Sequence, residues 1–210
     1  MPSVEKTIAK SLLEIKAVKL SPKNPFTWAS GWNSPIYCDN RVTLSHPTIR
    51  KQIYQSFAEL IAEKYPEAEL IAGVATGAIA HGVLVAEEMN KPFIYVRSAP
   101  KGHGLGNQIE GQYQKGQKVV VVEDLISTGG SSLSAVEALK QAEVEVLGMV
   151  AIFTYGFPKA EENFRNAQVA LNTLSSYNAL VEAALEIGYI NIDELNDLKE
   201  WRKSPETWRK

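Results

Sequence analysis

The sequence predicts an α/β fold in which a doubly wound, mainly parallel sheet is flanked by helices. In the middle of the chain, apolar runs of strand length alternate with segments of helical periodicity, which is the pattern of strands joined by crossover helices. One run, the four valines at 119–122, has no polar alternation, as expected of a central strand buried on both faces. A length of 210 residues allows one sizeable core with a small appended part, so we expect a single domain.

Three helices and four strands are expected in the core. The first helix follows Pro47, a residue suited to a first helical turn, and places its apolar residues on one face. Those residues are Ile49, Ile53, Phe57, Leu60 and Ile61. The other two helices are expected at 79–89 and 131–141, and the strands at 69–75, 92–96, 118–123 and 144–153.

The two ends of the chain differ from this core in composition. Residues 26–41 are rich in aromatic and turn residues, and the chain from Pro158 reads as short helices followed by a polar tail. We expect these parts to form a small cap, or hood, over the sheet. The predicted organisation is one domain over 1–210, with a core at about 46–157, a hood from about 1–45 and 158–210, and a mobile Gly-rich loop at about 98–115.

Composition excludes several classes of protein. The formal net charge is -2, with Lys+Arg 22 against Asp+Glu 24, so no global field attracts nucleic acid or an anionic membrane surface. Cys38 is the single cysteine, which excludes an intrachain disulfide framework. No apolar run approaches the about 20 residues that span a bilayer, and the first residues mix charges into their apolar positions. We therefore expect a soluble, cytoplasmic protein without nucleic-acid or membrane partners.

Polar residues follow the four valines at the end of the predicted strand. Glu123 and Asp124 come where that strand emerges at its carboxyl end, which is where open α/β sheets bind ligands. The turn at 127–131 then leads into a helix; its glycines let backbone N–H groups converge, and the helix N-terminus adds positive potential. These features predict a cradle for a phosphate monoester. Because carboxylates repel a phosphate, the acidic pair is expected to hold sugar hydroxyls of the same ligand, with or without Mg²⁺ nearby.

Residues 119–131 as a whole resemble the phosphoribosyl pyrophosphate (PRPP) motif of the type I phosphoribosyltransferases. The segment VRSAPKGHGLGNQIEG at 96–111 resembles more narrowly the loop of the orotate phosphoribosyltransferase family. FTWASGWNSPIYCDNR at 26–41 and GVATGAIAHG at 73–82 extend this resemblance, which runs from about Phe26 to Gly156. The implied fold is that of the type I phosphoribosyltransferases, with a hood.

The resemblance implies a pentosyl transfer, a glycosyltransferase reaction. PRPP and orotate would give orotidine 5'-monophosphate and pyrophosphate in de novo pyrimidine synthesis. The implied catalytic residues are Lys101, His103 and Asp124. The implied PRPP-binding residues are Arg97, Lys101, His103, Glu123, Asp124, Leu125, Ile126, Ser127, Thr128, Gly129, Gly130 and Ser131. The residues expected near orotate are Ser127, Phe26 and Trp28.

The resemblance also implies a cofactor and an assembly. Mg²⁺ would be held mainly by PRPP oxygens, with Asp124 as the candidate protein ligand. This agrees with the sequence, which has no His or Cys residues at the spacing of a metal site. The chain would form a homodimer in which loop residues Arg97, Lys101 and His103 reach the PRPP bound by the partner. His103 is the candidate proton donor to the leaving pyrophosphate.

Some positions depart from the family pattern, and two other functions stay open. Cations that several relatives carry are replaced here by the turn ATGA at 75–78, by Ser98 and by Asn33. The residue that binds the orotate carboxylate is therefore unidentified, with Arg41 as one candidate. A purine phosphoribosyltransferase and a PRPP-sensing regulator of the same fold are the alternatives. Association with a decarboxylase and the role of Trp201 and Trp208 in the tail are also open.

Overall fold

The computed structural model describes residues 3–28, 30–98 and 108–209, and within them the chain divides into two compact units. Unit 1 combines Met1–His46 with Ser175–Lys210, and unit 2 is Pro47–Leu174. The helices are, in chain order, α1 (Val4–Glu14), α2 (Pro47–Lys64), α3 (Ile79–Glu88), α4 (Gly130–Gln141), α5 (Pro158–Asn166), α6 (Tyr177–Glu186) and α7 (Ile192–Lys203). The strands are β1 (Val18–Leu20), β2 (Phe26–Thr27), β3 (Asn33–Ser34), β4 (Ile36–Cys38), β5 (Leu70–Val74), β6 (Phe93–Val96), β7 (Ile109–Glu110), β8 (Lys118–Ile126), β9 (Glu145–Thr154) and β10 (Leu171–Ser176).

The central sheet has the strand order β10-β9-β8-β5-β6-β7. Strands β9, β8, β5 and β6 run parallel, and β7 pairs antiparallel with β6 at the edge. The four valines at 119–122 lie in the middle of this order and are 0% exposed, because helices flank the sheet. The predicted α/β class with a doubly wound, mainly parallel sheet is thus confirmed.

The helices between the strands bury their apolar faces as the periodicity predicts. α2 begins at Pro47 and buries Ile53, Phe57 and Ile61, whereas Ile49 and Leu60 lie at the edge of that face and are half-buried. α3 approaches β5 and β6 closely. A Cβ atom on Gly82 would lie 2.6 Å from the Phe93 ring, so only glycine allows this helix its position.

The boundary between core and hood differs from the predicted one. We expected the second hood segment to start at Pro158, but α5 and most of β10 belong to unit 2, so the second segment of unit 1 starts at Ser175. The physical reason is packing and pairing. Phe164 of α5 is buried against the turn before α4, and β10 lies beside β9 in the sheet.

The predicted loop at 98–115 also contains a strand. Ile109 and Glu110 form β7 and pair with Val96 and Tyr95, and Ile109 is 7% exposed. Residues 111–116 are exposed, as expected of a loop. Residues 99–107 lie outside the described part of the chain.

Unit 1 is built on helices and aromatic side chains. α1 packs against α6, β1 pairs antiparallel with β4, and β2 pairs antiparallel with β3. Trp201 is 0% and Trp208 is 9% exposed, so the tail that the sequence left open makes buried contacts. None of the helices within the described residues has the length and apolarity needed to cross a membrane.

Candidate active site

The two acidic residues of the motif lie inside strand β8. We expected the strand to end at Glu123, but it continues to Ile126 because β9 pairs with it as far as Thr154. Consecutive side chains of a strand point to opposite faces. Glu123 therefore faces α4, and Asp124 faces the turn that follows β5.

Glu123 is held within the protein. Its Oε2 accepts a hydrogen bond from the Ser132 hydroxyl at 2.8 Å, and its Oε1 accepts one from the Asp124 backbone N–H at 2.8 Å. Glu123 is 5% and Ser132 is 1% exposed. Burial raises the pKa of Glu123 to about 8, with a further contribution from the adjacent Asp124 carboxyl. Burial thus favours the protonated form of the Glu123 carboxyl, and its hydrogen bond with Ser132 ties β8 to α4.

Asp124 lies against the turn at 75–78. Its carboxylate occupies the space in which a Cβ atom on Gly77 would sit, so the turn approaches this side chain as only glycine permits. The Ala75–Thr76 peptide bond in this turn is cis, and the Ala75 N–H donates to the Val96 carbonyl at 2.8 Å. Because β5 and β8 are parallel neighbours, the turn after β5 and Asp124 meet at the carboxyl end of these strands.

The predicted phosphate cradle is a tight turn that ends in a helix. Gly129 has φ +81° and precedes the first residue of α4, Gly130. The first turn of any α-helix leaves backbone N–H groups without helical partners, and they favour an anion. Thr128, Gly130 and Ser131 are exposed, and Ser127 is half-buried. The turn thus presents hydroxyl and N–H donors to solvent at the carboxyl end of β8.

Helix α5 supports this turn from behind. The Asn163 side-chain amide donates to the Thr128 carbonyl at 2.9 Å, and a Cβ atom on Gly129 would lie 2.6 Å from Phe164 Cε2. Neither residue was predicted to support the site, since no spacing in the sequence connects residues 163–164 with the motif at 119–131. Ser132, in the predicted helix at 131–141, and Gly77, in the segment at 73–82, were not predicted as site residues either.

The remaining motif residues lie in the strand. Leu125 pairs with Phe153 in β9, and Ile126 is 0% exposed. The Ile126 carbonyl accepts from the Tyr155 N–H at 3.1 Å. The Ile126 side chain therefore belongs to the core, and a ligand has access only to the backbone around it.

Arg97 lies directly after β6, where the Gly-rich loop leaves the sheet. Its N–H donates to the Gln108 carbonyl at 2.9 Å, and the Gln108 side chain donates to the Arg97 carbonyl at 2.8 Å. These bonds fasten the two ends of the loop to each other. The Arg97 guanidinium lies 3.7 Å from the Glu110 carboxylate. The other two predicted loop residues, Lys101 and His103, lie outside the described residues.

Of the residues expected near orotate, Phe26 and Trp28 lie in unit 1 and Ser127 lies in unit 2. The Phe26 ring is 5.7 Å from the Tyr37 ring, and the Trp28 indole N–H donates to the Ile36 carbonyl at 3.0 Å. Arg41 is paired with Asp39, with Nε 2.7 Å from Oδ1, and this guanidinium lowers the pKa of the Asp39 carboxyl. Two of the five guanidinium N–H donors of Arg41 are thus used on Asp39.

Comparison with known proteins decides the family. The phosphoribosyl transferase domain family matches residues 45–176, which contain the whole sheet of unit 2. The orotate phosphoribosyltransferase of Porphyromonas gingivalis is 58% identical over 208 residues, which are 99% of this chain and 99% of that protein. The chain belongs to the orotate phosphoribosyltransferase family.

Solved structures agree with this membership. An orotate phosphoribosyltransferase from Aeropyrum pernix superposes with a TM-score of 0.72 at 26% identity, covering 86% of this chain and 99% of that one. UMP synthase of Leishmania donovani gives a TM-score of 0.79 at 26% identity, with 94% of this chain matching 42% of that one. The family fold therefore extends over most of this chain, including segments of unit 1.

The described residues contain no group of three or more His, Cys, Asp or Glu side chains placed to hold a metal ion. Mg²⁺ usually keeps several waters and is bound through one or two carboxylates together with substrate phosphates. Asp124, half-buried beside the cradle, is a carboxylate of this kind. The donor set thus fits Mg²⁺ that arrives with a phosphorylated substrate.

Proposed function

We propose that this chain transfers the ribose 5-phosphate group of PRPP to orotate, giving orotidine 5'-monophosphate and pyrophosphate in de novo pyrimidine synthesis. The observation that carries this is the 58% identity to an orotate phosphoribosyltransferase across the full length of both chains. The cradle at the end of β8 is consistent with it, since a turn of N–H and hydroxyl donors suits a ribose 5-phosphate.

The residues of the motif divide the substrate between them. Residues 127–131 hold the 5-phosphate through backbone N–H groups and hydroxyls, while Asp124 accepts hydrogen bonds from the ribose hydroxyls. Glu123 is buried and bonded to Ser132, so it contributes to substrate binding by holding α4 in position. Any contact with a ribose hydroxyl would come from the small exposed part of its carboxyl group. Phe26 and Trp28 line the base pocket, where one of the two rings stacks on the pyrimidine, and Ser127 lies near it.

The reaction breaks the bond from ribose C1 to the pyrophosphate oxygen and forms a bond from C1 to an orotate nitrogen, which loses its proton to the surrounding water. C1 passes through a state of oxocarbenium character, and water would trap it. The loop residues Arg97, Lys101 and His103 stabilise the charge on the leaving diphosphate, and His103 donates it a proton. Closure of the loop excludes water until the nitrogen attacks.

Mg²⁺ is the proposed cofactor, held by PRPP with Asp124 beside it. The chemistry it supplies is neutralisation of the diphosphate charge. We further propose that the enzyme is cytoplasmic and works as a homodimer in which the loop of one subunit serves the site of the other.

The test of the activity is the loss of orotate ultraviolet absorbance on addition of PRPP, with and without Mg²⁺, beside adenine, hypoxanthine and uracil as competing bases. Turnover of orotate alone, dependent on Mg²⁺, is the expected result. Consumption of a purine in place of orotate would overturn the base assignment. Binding of PRPP without turnover of any base would point to a regulator of the same fold.

The shared site is tested by mixing two inactive variants. Lys101→Ala removes the loop cation and Asp124→Asn removes the ribose acceptor, and each alone is expected to have little activity. If the loop crosses to the partner, a mixed dimer contains one site in which both groups are intact, so mixing after reversible dissociation restores turnover. No recovery in a demonstrated mixed dimer would show that each loop serves its own subunit.

A further inference from the structure

The β2–β3 hairpin, residues 26–34, has little internal support. Among the described residues of the hairpin, its strands pair at two positions, Phe26 with Ser34 and Thr27 with Asn33. Short two-stranded hairpins are marginal on their own in water. Two backbone bonds near its tip, from the Trp28 N–H to the Trp32 carbonyl at 2.9 Å and from the Gly31 N–H to the Trp28 carbonyl at 2.8 Å, close the turn. The conformation of the hairpin must therefore depend on its surroundings in unit 1.

Arg209 binds both flanks of this hairpin. Its Nη1 donates to the Pro22 carbonyl, ahead of β2, at 2.5 Å. Its own carbonyl accepts from the Asn33 side chain, in β3, at 2.7 Å. Its Nη2 donates to Asp197 Oδ2 in α7 at 2.9 Å, and its guanidinium lies 4.4 Å from the centre of the Trp208 ring. One planar guanidinium thus joins the chain before the hairpin to α7, a geometry that lysine cannot reproduce.

A second contact holds the tip. The Trp201 ring is fully buried and meets the Trp28 ring edge-on, with centroids 5.6 Å apart. The Trp28 indole N–H is fixed on the Ile36 carbonyl, so this ring is held by packing and by a hydrogen bond together. The Trp32 ring stacks on the Trp28 ring, with the two ring centroids 6.5 Å apart.

We propose that residues 201–209, the anchor segment, position the β2–β3 hairpin and so set the affinity of the enzyme for orotate, with Arg209 and Trp201 as positioning residues. This rests on the proposed function, in which Phe26 and Trp28 bind the base. A hairpin that is already ordered binds without an added entropy cost, whereas a loosened hairpin must be ordered by the substrate. The PRPP cradle is built from β8, α4 and α5, and none of these elements belongs to the anchor segment.

The experiment measures steady-state kinetics for Arg209→Ala, Arg209→Lys and Asn33→Ala, with Lys199→Ala, at an exposed residue of α7 outside the anchor segment, as matched control in the same unit. Arg209→Ala is expected to raise KM for orotate about ten-fold, the effect of losing one charged hydrogen-bond network. KM for PRPP and kcat should change by less than about three-fold. Arg209→Lys should lie between Arg209→Ala and wild type, and Lys199→Ala should match wild type.

Orotate binding is also measured directly by tryptophan fluorescence. All four tryptophans lie in unit 1, so quenching by orotate reports on that unit alone. The dissociation constant from quenching should rise with KM. Asn33→Ala removes a single neutral hydrogen bond and should raise KM for orotate in the same direction, which keeps the test valid if Arg209→Ala proves poorly stable. Combined with Arg209→Ala, it should add less than its separate effect, since the two substitutions break different bonds that hold the same residue, Arg209, against the hairpin.

Two results would overturn the proposal. One is an unchanged KM for orotate in Arg209→Ala and Asn33→Ala; the other is an equal rise of both KM values, which indicates general loss of structure. The wild-type enzyme in the same assay distinguishes failure of this proposal from failure of the proposed function. If wild type turns over orotate, only the role of the anchor segment is refuted; if it does not, the proposed function itself is refuted.

Discussion

Replacing Gly129 by alanine should destabilise unit 2, whereas the same change at Gly130 should not. Gly129 has φ +81°, a conformation that costs a residue with a Cβ atom about 1–2 kcal/mol. The new Cβ atom would also lie 2.6 Å from Phe164 Cε2, and Phe164 is 4% exposed, so it has little room to move. Overpacking of this kind costs about 1–3 kcal/mol. The expected loss is therefore about 2–5 kcal/mol.

Gly130 is the matched control in the same motif. It is the first residue of α4, and a Cβ atom there meets nothing within 4 Å. Alanine favours a helix over glycine, so the free energy of unfolding should stay the same or rise by up to about 1 kcal/mol. Urea denaturation followed by far-UV circular dichroism gives both values, and an unchanged m value shows that the same surface is exposed. Equal midpoints for the two variants would refute the argument, because they differ only in backbone conformation and in contact with Phe164.

Three further changes test other contacts. Glu123→Gln should change how stability depends on pH. The pKa of the wild-type carboxyl is about 8 in the folded state and 4.5 in the unfolded state, so between these pH values the unfolded state binds fewer protons. The wild-type free energy of unfolding should accordingly fall as pH rises from about 4.5 to about 8, by up to about 5 kcal/mol, and the variant should show a flatter profile in denaturation series. Gly77→Ala should displace the Asp124 carboxylate and lower kcat/KM for PRPP by about 10–100-fold in initial-rate assays, and wild-type kinetics would contradict this. Tyr177→Phe should cost about 1–3 kcal/mol, seen as a lower urea midpoint by tryptophan fluorescence, because the buried Tyr177 hydroxyl donates to the Leu198 carbonyl at 2.7 Å; an unchanged midpoint would show that this bond contributes nothing.

Local patterns predicted the parts of the fold that are buried and regular. The four valines at 119–122 predicted a central strand because β-branched residues favour strands and a short apolar run without polar alternation fits a strand buried on both faces. Pro47 marked the start of α2 for an equally local reason, its fixed φ. β7 was missed because Ile109 and Glu110 are too few for alternation to be visible. β10, with the sequence LNTLSS, is an edge strand and half-exposed along most of its length, so its composition resembles a loop.

For the candidate site, too, the local features were predicted and the contacts between distant residues were not. The acidic pair and the glycine turn are contiguous in sequence, and a contiguous motif carries its own signal. The bond from Ser132 to Glu123 depends on how α4 folds back along β8, and the support that Asn163 and Phe164 give the turn depends on where α5 lies. Such contacts join residues from different elements, and the sequence shows neither the distance between the elements nor the direction of their side chains.

Unit 1 is assembled from two segments that are synthesised at different times. Glu5 of α1 accepts a hydrogen bond from the Ser175 hydroxyl on its carbonyl at 3.0 Å, and α1 packs against α6, so Ile8 and Leu12 owe part of their burial to residues beyond 174. Unit 2 is one continuous segment and is able to close as soon as it leaves the ribosome. At about 5–20 residues per second, α1 waits on the order of ten seconds for α6. During that interval the apolar face of α1 is exposed to chaperones and to other nascent chains, until α6 is synthesised and covers it.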